Sequence, residues 1–203
     1  MMFPDTLEVS GRQIPYFRTD EFSEMMLESE RLMKKLLNAP NGSKVAFLTA
    51  SGTGAMESVV GCCFTPSDRV LIVMGGGFGR RFGEICDVHS IPHDDLILNW
   101  DEPLTHAILD EYVDRDYAAL LVNIDETSTG QLYDYKMLSD FCKENGMLLV
   151  VDAISSFLAD PLEMSDCIDV VIVSSQKALS LEPGVSIVCL LYTSPSPRDS
   201  TSS

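Results

Sequence analysis

Apolar positions along this chain follow two periods, and the changes between them mark its elements. Over residues 19–38, Phe22, Met25, Met26, Leu32, Met33 and Leu36 recur at helical spacing, which predicts an amphipathic helix capped by Thr19 or Asp20. Its methionines are expected to pack on the domain. Short apolar runs follow at 44–49 (KVAFLT), 69–74 (RVLIVM), 95–100 (DLILNW), 118–124 (AALLVNI) and 147–152 (MLLVVD). Helical stretches are predicted between them, at about 54–63, after Gly79, at 103–114 and at 134–145. Strands that read as continuous apolar runs, alternating with helices, predict an α/β fold with a mostly parallel sheet covered on both faces. Two more strands, in CIDVVIVSS and VSIVCLLY, flank a QKALSLEPG turn. The closing TSPSPRDSTSS lacks apolar periodicity and reads as disordered. The expected organisation is an N-terminal segment at 1–18, one domain at 19–190, and a tail at 191–203 of unrelated composition.

Composition narrows the class. At 203 residues and 45% apolar content the chain suits one substantial domain. Fourteen basic against 31 acidic side chains give a formal charge of −17, a field that repels nucleic acid and anionic membranes. Arg80 with Arg81 is too short a basic run to reverse it. No apolar run approaches the roughly 20 residues that span a bilayer, and MMFPDTLEVSGRQ lacks the pattern of a secretory leader, so a cytoplasmic protein is expected. The cysteines at 62, 63, 86, 142, 167 and 189 show neither CxxC spacing nor nearby histidines. They read as reduced core thiols, with no metal site.

Four constellations carry possible chemistry. In TASGTGAMES (49–58) a strand runs through small residues into a helix, which aims free N–H groups and the helix dipole at an anion such as phosphate. Ser51 and Thr53 can add hydroxyl bonds, and Gly52 and Gly54 admit close approach; a tight turn needing glycine for shape alone fits equally well. MGGGFGRRFGE (74–84) is also glycine-rich, yet both loops fail the G-x-G-x-x-G spacing of a dinucleotide site, at Glu57 and at Arg80. A nicotinamide-dependent oxidoreductase is therefore disfavoured. The second loop does offer Phe78, a ring able to stack on a flat cofactor or to join the core. NIDETSTGQLYD (123–134) gathers Thr127, Ser128 and Thr129 beside Glu126, either to bond a cofactor oxygen or to cap the next helix. Last, Asp152 ends one apolar run and Lys177 follows another. A buried carboxylate needs a cation or hydrogen bonds, and a lysine amine can form an imine with an aldehyde. Separately, Asp152 suits a turn and Lys177 a solvated loop. Together they suit pyridoxal phosphate, whose ring nitrogen a carboxylate keeps protonated.

The ordered set SGTGA, GGGFGRR, DETSTG, VVDAISSF and SSQKALSLEPG resembles class V aminotransferases of the fold type I pyridoxal-phosphate enzymes, and most of all the alanine-glyoxylate and serine-glyoxylate branch. The resemblance covers most of residues 16–190, which it makes a partial large, cofactor-binding domain. It implies that Lys177 is the imine-forming base, that Asp152 pairs with the ring nitrogen, that Phe78 stacks on the ring and that Thr127 meets its phenolic side. Ser51, Gly52, Thr53 and Gln176 would hold the phosphate. The implied reaction moves an amino group from a small amino acid to a 2-oxo acid such as glyoxylate or pyruvate, in a homodimer. The 2-aminoethylphosphonate-pyruvate relatives are similar, but usually carry asparagine where this chain has Gln176. Relatives often carry histidine at Asp125 and glycine at Leu158, and they continue into a smaller C-terminal domain that supplies the arginine for the substrate carboxylate. Arg12, Arg18, Arg80 and Arg81 are the candidate substitutes for that arginine in this chain. The expected alternative is an inert, truncated fragment.

Overall fold

The structure, a computed structural model, describes residues 2–165 and 168–191. Residues 192–203 of the tail expected at 191–203, and Cys167, lie outside the described residues. The helix expected over 19–38 is α2 (Asp20–Leu36), and Thr19 caps it, its Oγ1 accepting from Phe22 N at 3.3 Å. A short α1 (Pro4–Ser10) precedes it, begun by a proline whose missing N–H costs nothing in a first turn.

After α2 come β1 (Lys44–Leu48), α3 (Gly52–Cys63), β2 (Val70–Met74), α4 (Gly77–His89), β3 (His93–Ile97), α5 (His106–Leu109) and β4 (Ala119–Asn123). Then follow β5 (Asp125–Glu126), β6 (Gln131–Leu132), α6 (Tyr135–Glu144), β7 (Leu148–Asp152), β8 (Val170–Ser174) and β9 (Ser186–Leu190). The main sheet has the order β1-β9-β8-β7-β4-β2-β3, and β5 pairs with β6 in a small hairpin. Strands β8, β7, β4, β2 and β3 are mutually parallel; β9 runs against both its neighbours, so β1 shares the direction of the parallel set. The sheet is thus mostly parallel with helices on both faces, as the alternation of patterns predicts.

The strand period of two explains how one sheet serves two cores. Leu71, Val73, Leu120, Val122, Leu149 and Val151 face α2, α5 and α6, with Met33, Leu109, Leu138 and Phe141 packed against them. Their sequence neighbours Val70, Ile72, Leu121 and Val150 face α3 and α4, meeting Met56, Val60, Phe82 and Cys86. Each fully buried side chain of this size contributes roughly 1.5–3 kcal/mol, so no strand here tolerates a slip of one residue.

Several expectations need correction. On α2, Met33 and the following Leu37 are buried, but Met25, Leu32 and Leu36 are exposed, because the helix meets β1 along a neighbouring stripe. Strand β3 begins two residues before DLILNW and ends at Ile97, leaving Ile97 and Trp100 exposed; at the sheet edge, pairing with β2 sets the strand's limits more than apolarity does. The helix expected over 103–114 shrinks to α5 and a 3-10 turn, closed by left-handed backbone at Asp114 (φ 57°) and Asp116 (φ 55°). Cys62 is exposed rather than core, while Cys86, Cys142 and Cys189 are buried free thiols.

Candidate active site

Because β1, β2, β4, β7 and β8 share one direction, their carboxyl ends meet at one edge. Successive strands are added outward from β2 to β3 and then the other way from β4 to β7 and β8. That reversal opens a crevice at the strand ends, where parallel sheets bind ligands. A cavity of about 210 Å³ lies there. All eight residues singled out from the sequence line it: Ser51, Gly52, Thr53, Phe78, Thr127, Asp152, Gln176 and Lys177. Met56, Asn123, Ile154 and Ser155 complete the lining. Of these, Asn123 carried a legible signal, an amide in the otherwise apolar run AALLVNI.

The cavity has a buried floor and an exposed mouth. Asp152, the last residue of β7, is fully buried. Its Oδ1 accepts from Ile154 N at 2.9 Å and its Oδ2 from Asn123 Nδ2 at 2.8 Å. Burial pushes its carboxyl up to about 6; those two bonds pull the other way, Glu126 adds to the rise, and Lys177 opposes it. Among the described residues no cation lies in ion-pair range of it. The Asn123 Oδ1 atom is buried with no hydrogen-bond partner. At the mouth, Ser51, Thr127, Gln176 and Lys177 are exposed, and Phe78 is 40% exposed rather than a core residue. Ser174 Oγ donates to Gln176 Oε1 at 2.5 Å, which leaves the amide's NH₂ as its free end.

The N-terminus of α3 forms one wall. Ser51 accepts from Gly54 N through its Oγ at 3.2 Å and from Ala55 N through its carbonyl at 3.1 Å. The N–H groups of Gly52 and Thr53 precede the first intrahelical bond and are donors suited to an anion. A Cβ on Gly52 would lie 2.3 Å from Ile154 Cδ1, the far end of that side chain, so a larger residue there requires Ile154 to shift. Of the three clustered hydroxyls, only Thr127 lines the cavity; Ser128 and Thr129 bond to Glu126. The cap of α6 is Asp134, not this cluster. None of Arg12, Arg18, Arg80 and Arg81 lines the cavity; Arg12 pairs with Glu8 and Arg81 with Glu84.

Fold and cavity together define an α/β protein with a ligand crevice at the switch point of a mostly parallel sheet. The family model for aminotransferase class-V matches residues 12–194, and the chain belongs to that family. It is 34% identical over 177 residues to the soluble hydrogenase small subunit of Synechococcus sp. (strain PCC 6716), covering 84% of this chain and 46% of that protein. It is 35% identical over 144 residues to a 2-aminoethylphosphonate–pyruvate transaminase of Phocaeicola vulgatus, covering 70% of this chain and 40% of that protein. Among solved structures it resembles the alanine–glyoxylate aminotransferase of Nostoc sp., with a TM-score of 0.88 at 25% identity over 93% of this chain and 50% of that one. The chain thus spans about half the length of the relatives it matches.

Proposed function

We propose that this chain holds pyridoxal 5′-phosphate for an aminotransferase that moves an amino group from a small amino acid of the alanine or serine type to a 2-oxo acid such as glyoxylate or pyruvate. The observation that carries the reading is Asp152, a fully buried carboxylate with no cation in ion-pair range among the described residues, on the floor of the cavity that Lys177 also lines. A protonated ring nitrogen is the partner that such a floor lacks. The free N–H groups at the start of α3 suit a phosphate, and the half-exposed Phe78 ring suits a flat face. The residues present therefore fit the cofactor.

When bound, pyridoxal phosphate supplies an aldehyde that links to amines and a ring that accepts the electron pair released at a substrate carbon. Lys177 Nζ, at the cavity mouth, would hold that aldehyde as an amine ligand and, when free, would serve as the base that moves a proton at a substrate α-carbon. The Asp152 carboxylate holds the ring-nitrogen proton, which the ring needs to accept electrons. Phe78 would orient the ring through its face, and the Thr127 hydroxyl would be available to a cofactor oxygen. Ser51, Gly52, Thr53 and the Gln176 amide hold the phosphate. Small amino acids and 2-oxo acids are the partners in this reading, in a cytoplasmic homodimer. The exposed Ile14, Tyr16 and Phe17 near the N-terminus support the homodimer. No helix of the described residues is long and apolar enough to cross a membrane.

A second reading, transfer from 2-aminoethylphosphonate to pyruvate, is favoured by the identity to the Phocaeicola protein. Gln176, where that group usually carries asparagine, speaks against it. The test is to titrate the chain with pyridoxal phosphate, record the visible absorbance, and trap the adduct with borohydride. We expect a band and a reduced adduct on Lys177, both lost in Lys177→Ala; an unchanged band in the mutant would defeat the assignment. Bleaching of that band by alanine or serine, against 2-aminoethylphosphonate, separates the two substrate readings. A stable band that no amine bleaches would leave the chain a binding fragment without catalysis.

A further inference from the structure

The glycine-rich turn between β2 and α4 closes on the chain itself rather than on a ligand. Gly76, the N-cap of α4, has no side chain with which to bond the first N–H groups of the helix. The hairpin supplies one. Glu126 Oε2 accepts from Gly79 N at 2.9 Å and from Phe78 N at 3.1 Å. Its Oε1 accepts from Ser128 Oγ at 2.7 Å and from Ser128 N at 3.2 Å. Ser128 Oγ in turn accepts from Gly77 N at 2.9 Å. Three successive N–H groups of α4 are thereby taken by two side chains from a distant part of the sequence.

Burial and steric fit make this contact more than a surface cap. Glu126 is 1% exposed, and no cation lies in ion-pair range of it among the described residues. Its charge is balanced by hydrogen-bond donors and by the positive end of the α4 dipole. A Cβ on Gly76 would lie 2.3 Å from Ser128 Oγ and 2.5 Å from Glu126 Cδ, so only glycine lets the two segments meet. With its N–H groups occupied, α4 offers no anion site, which leaves the start of α3 as the phosphate end of the cavity.

Thr127 stands between the two latch residues on the hairpin, and Phe78 stands between Gly77 and Gly79 on the helix. Both line the cavity, whereas Glu126 and Ser128 do not. We infer that Glu126 and Ser128 are positioning residues: they lock Phe78 and Thr127 into one unit and so set where the ring of a flat phosphorylated cofactor lies. This rests on the proposed cofactor reading.

The test uses the 203-residue chain as wild type, Glu126→Gln and Ser128→Ala. Glutamine keeps the shape but turns an NH₂ toward backbone donors; alanine removes the bond to Gly77 and one donor to Glu126, at an exposed position. In the cofactor-free proteins, amide hydrogen exchange at Phe78 and Gly79 in Glu126→Gln, and at Gly77 in Ser128→Ala, should accelerate about tenfold, the equivalent of one lost hydrogen bond, while exchange at Leu121 and Val150 holds. With pyridoxal phosphate, the visible circular dichroism of the variants should fall by about half and the Kd rise about tenfold, with borohydride trapping at Lys177 retained. Should Glu126→Gln not fold, Ser128→Ala decides. Unchanged exchange overturns the latch. Faster exchange with unchanged dichroism and Kd overturns the positioning role and leaves a helix cap. A wild-type chain that takes up no cofactor overturns the cofactor reading, and the positioning role with it, whatever the exchange shows.

Discussion

Asn123 and Asp152 are register partners on the parallel strands β4 and β7, and the Asn123 amide donates to the Asp152 carboxylate at 2.8 Å. Each is the last residue of its strand, and each follows the alternation that turns Leu121 and Val150 toward α3 and α4. The sheet's own pairing therefore delivers a buried carboxylate together with its donor to one end of the crevice.

Asp152 makes the stability of the empty protein depend on pH. Its carboxyl titrates at about 6 in the fold, against about 3.9 in an unfolded chain. Between those values the folded state holds a proton that the unfolded state has lost, so stability present at pH 4 is lost as the pH rises through 6. The contribution is about 3 kcal/mol. Urea unfolding of wild type and Asp152→Asn, compared at pH 4.5 and 7.5, should show the wild type losing ground relative to the variant. Parallel behaviour of the two would refute the buried charge.

Asn123→Ala removes one of the two donors to that carboxylate. The cost should be roughly 1–3 kcal/mol where Asp152 is ionised and smaller where it is protonated. Denaturant midpoints at pH 8 and pH 5 measure both. A loss equal at the two pH values would mean that the amide serves packing alone.

Gly52→Ala should weaken cofactor or phosphate binding by crowding Ile154, whose Cδ1 stands 2.3 Å from the new methyl. Adding Ile154→Val removes that atom and should restore binding. Calorimetric titration of the four proteins gives the coupling; additive losses would contradict the steric account.

Phe82 anchors α4 on the sheet and is fully buried among Ile72, Ile85 and Leu121 on that face. Phe82→Ala should cost about 3–5 kcal/mol. Thermal melts of the variant would reveal it, and a change near zero would argue that α4 does not pack as described.

Much of this was legible in the linear sequence. Five strands buried on both faces had to be continuous apolar runs, so AALLVNI and MLLVVD marked β4 and β7 closely. The strand-end residues Phe78, Thr127, Asp152 and Lys177 could be found because parallel strands bring their carboxyl ends to one edge. What failed were elements whose limits apolarity does not set: edge strand β3, bounded by its pairing with β2, and the short α5, closed by left-handed backbone at Asp114 and Asp116. The exposed Met25 and Leu32 misled for a related reason, since helical period fixes a stripe but not which neighbour it meets.

By itself the sequence determined the α/β alternation, the family motifs and the eight residues that share the cavity, because period and strand-end chemistry are local properties. The tertiary structure alone decided which glycine loop is open to an anion. Both loops look alike in sequence, but Glu126 and Ser128, distant along the chain, occupy the N–H groups of α4, while those of Gly52 and Thr53 stand at the cavity wall.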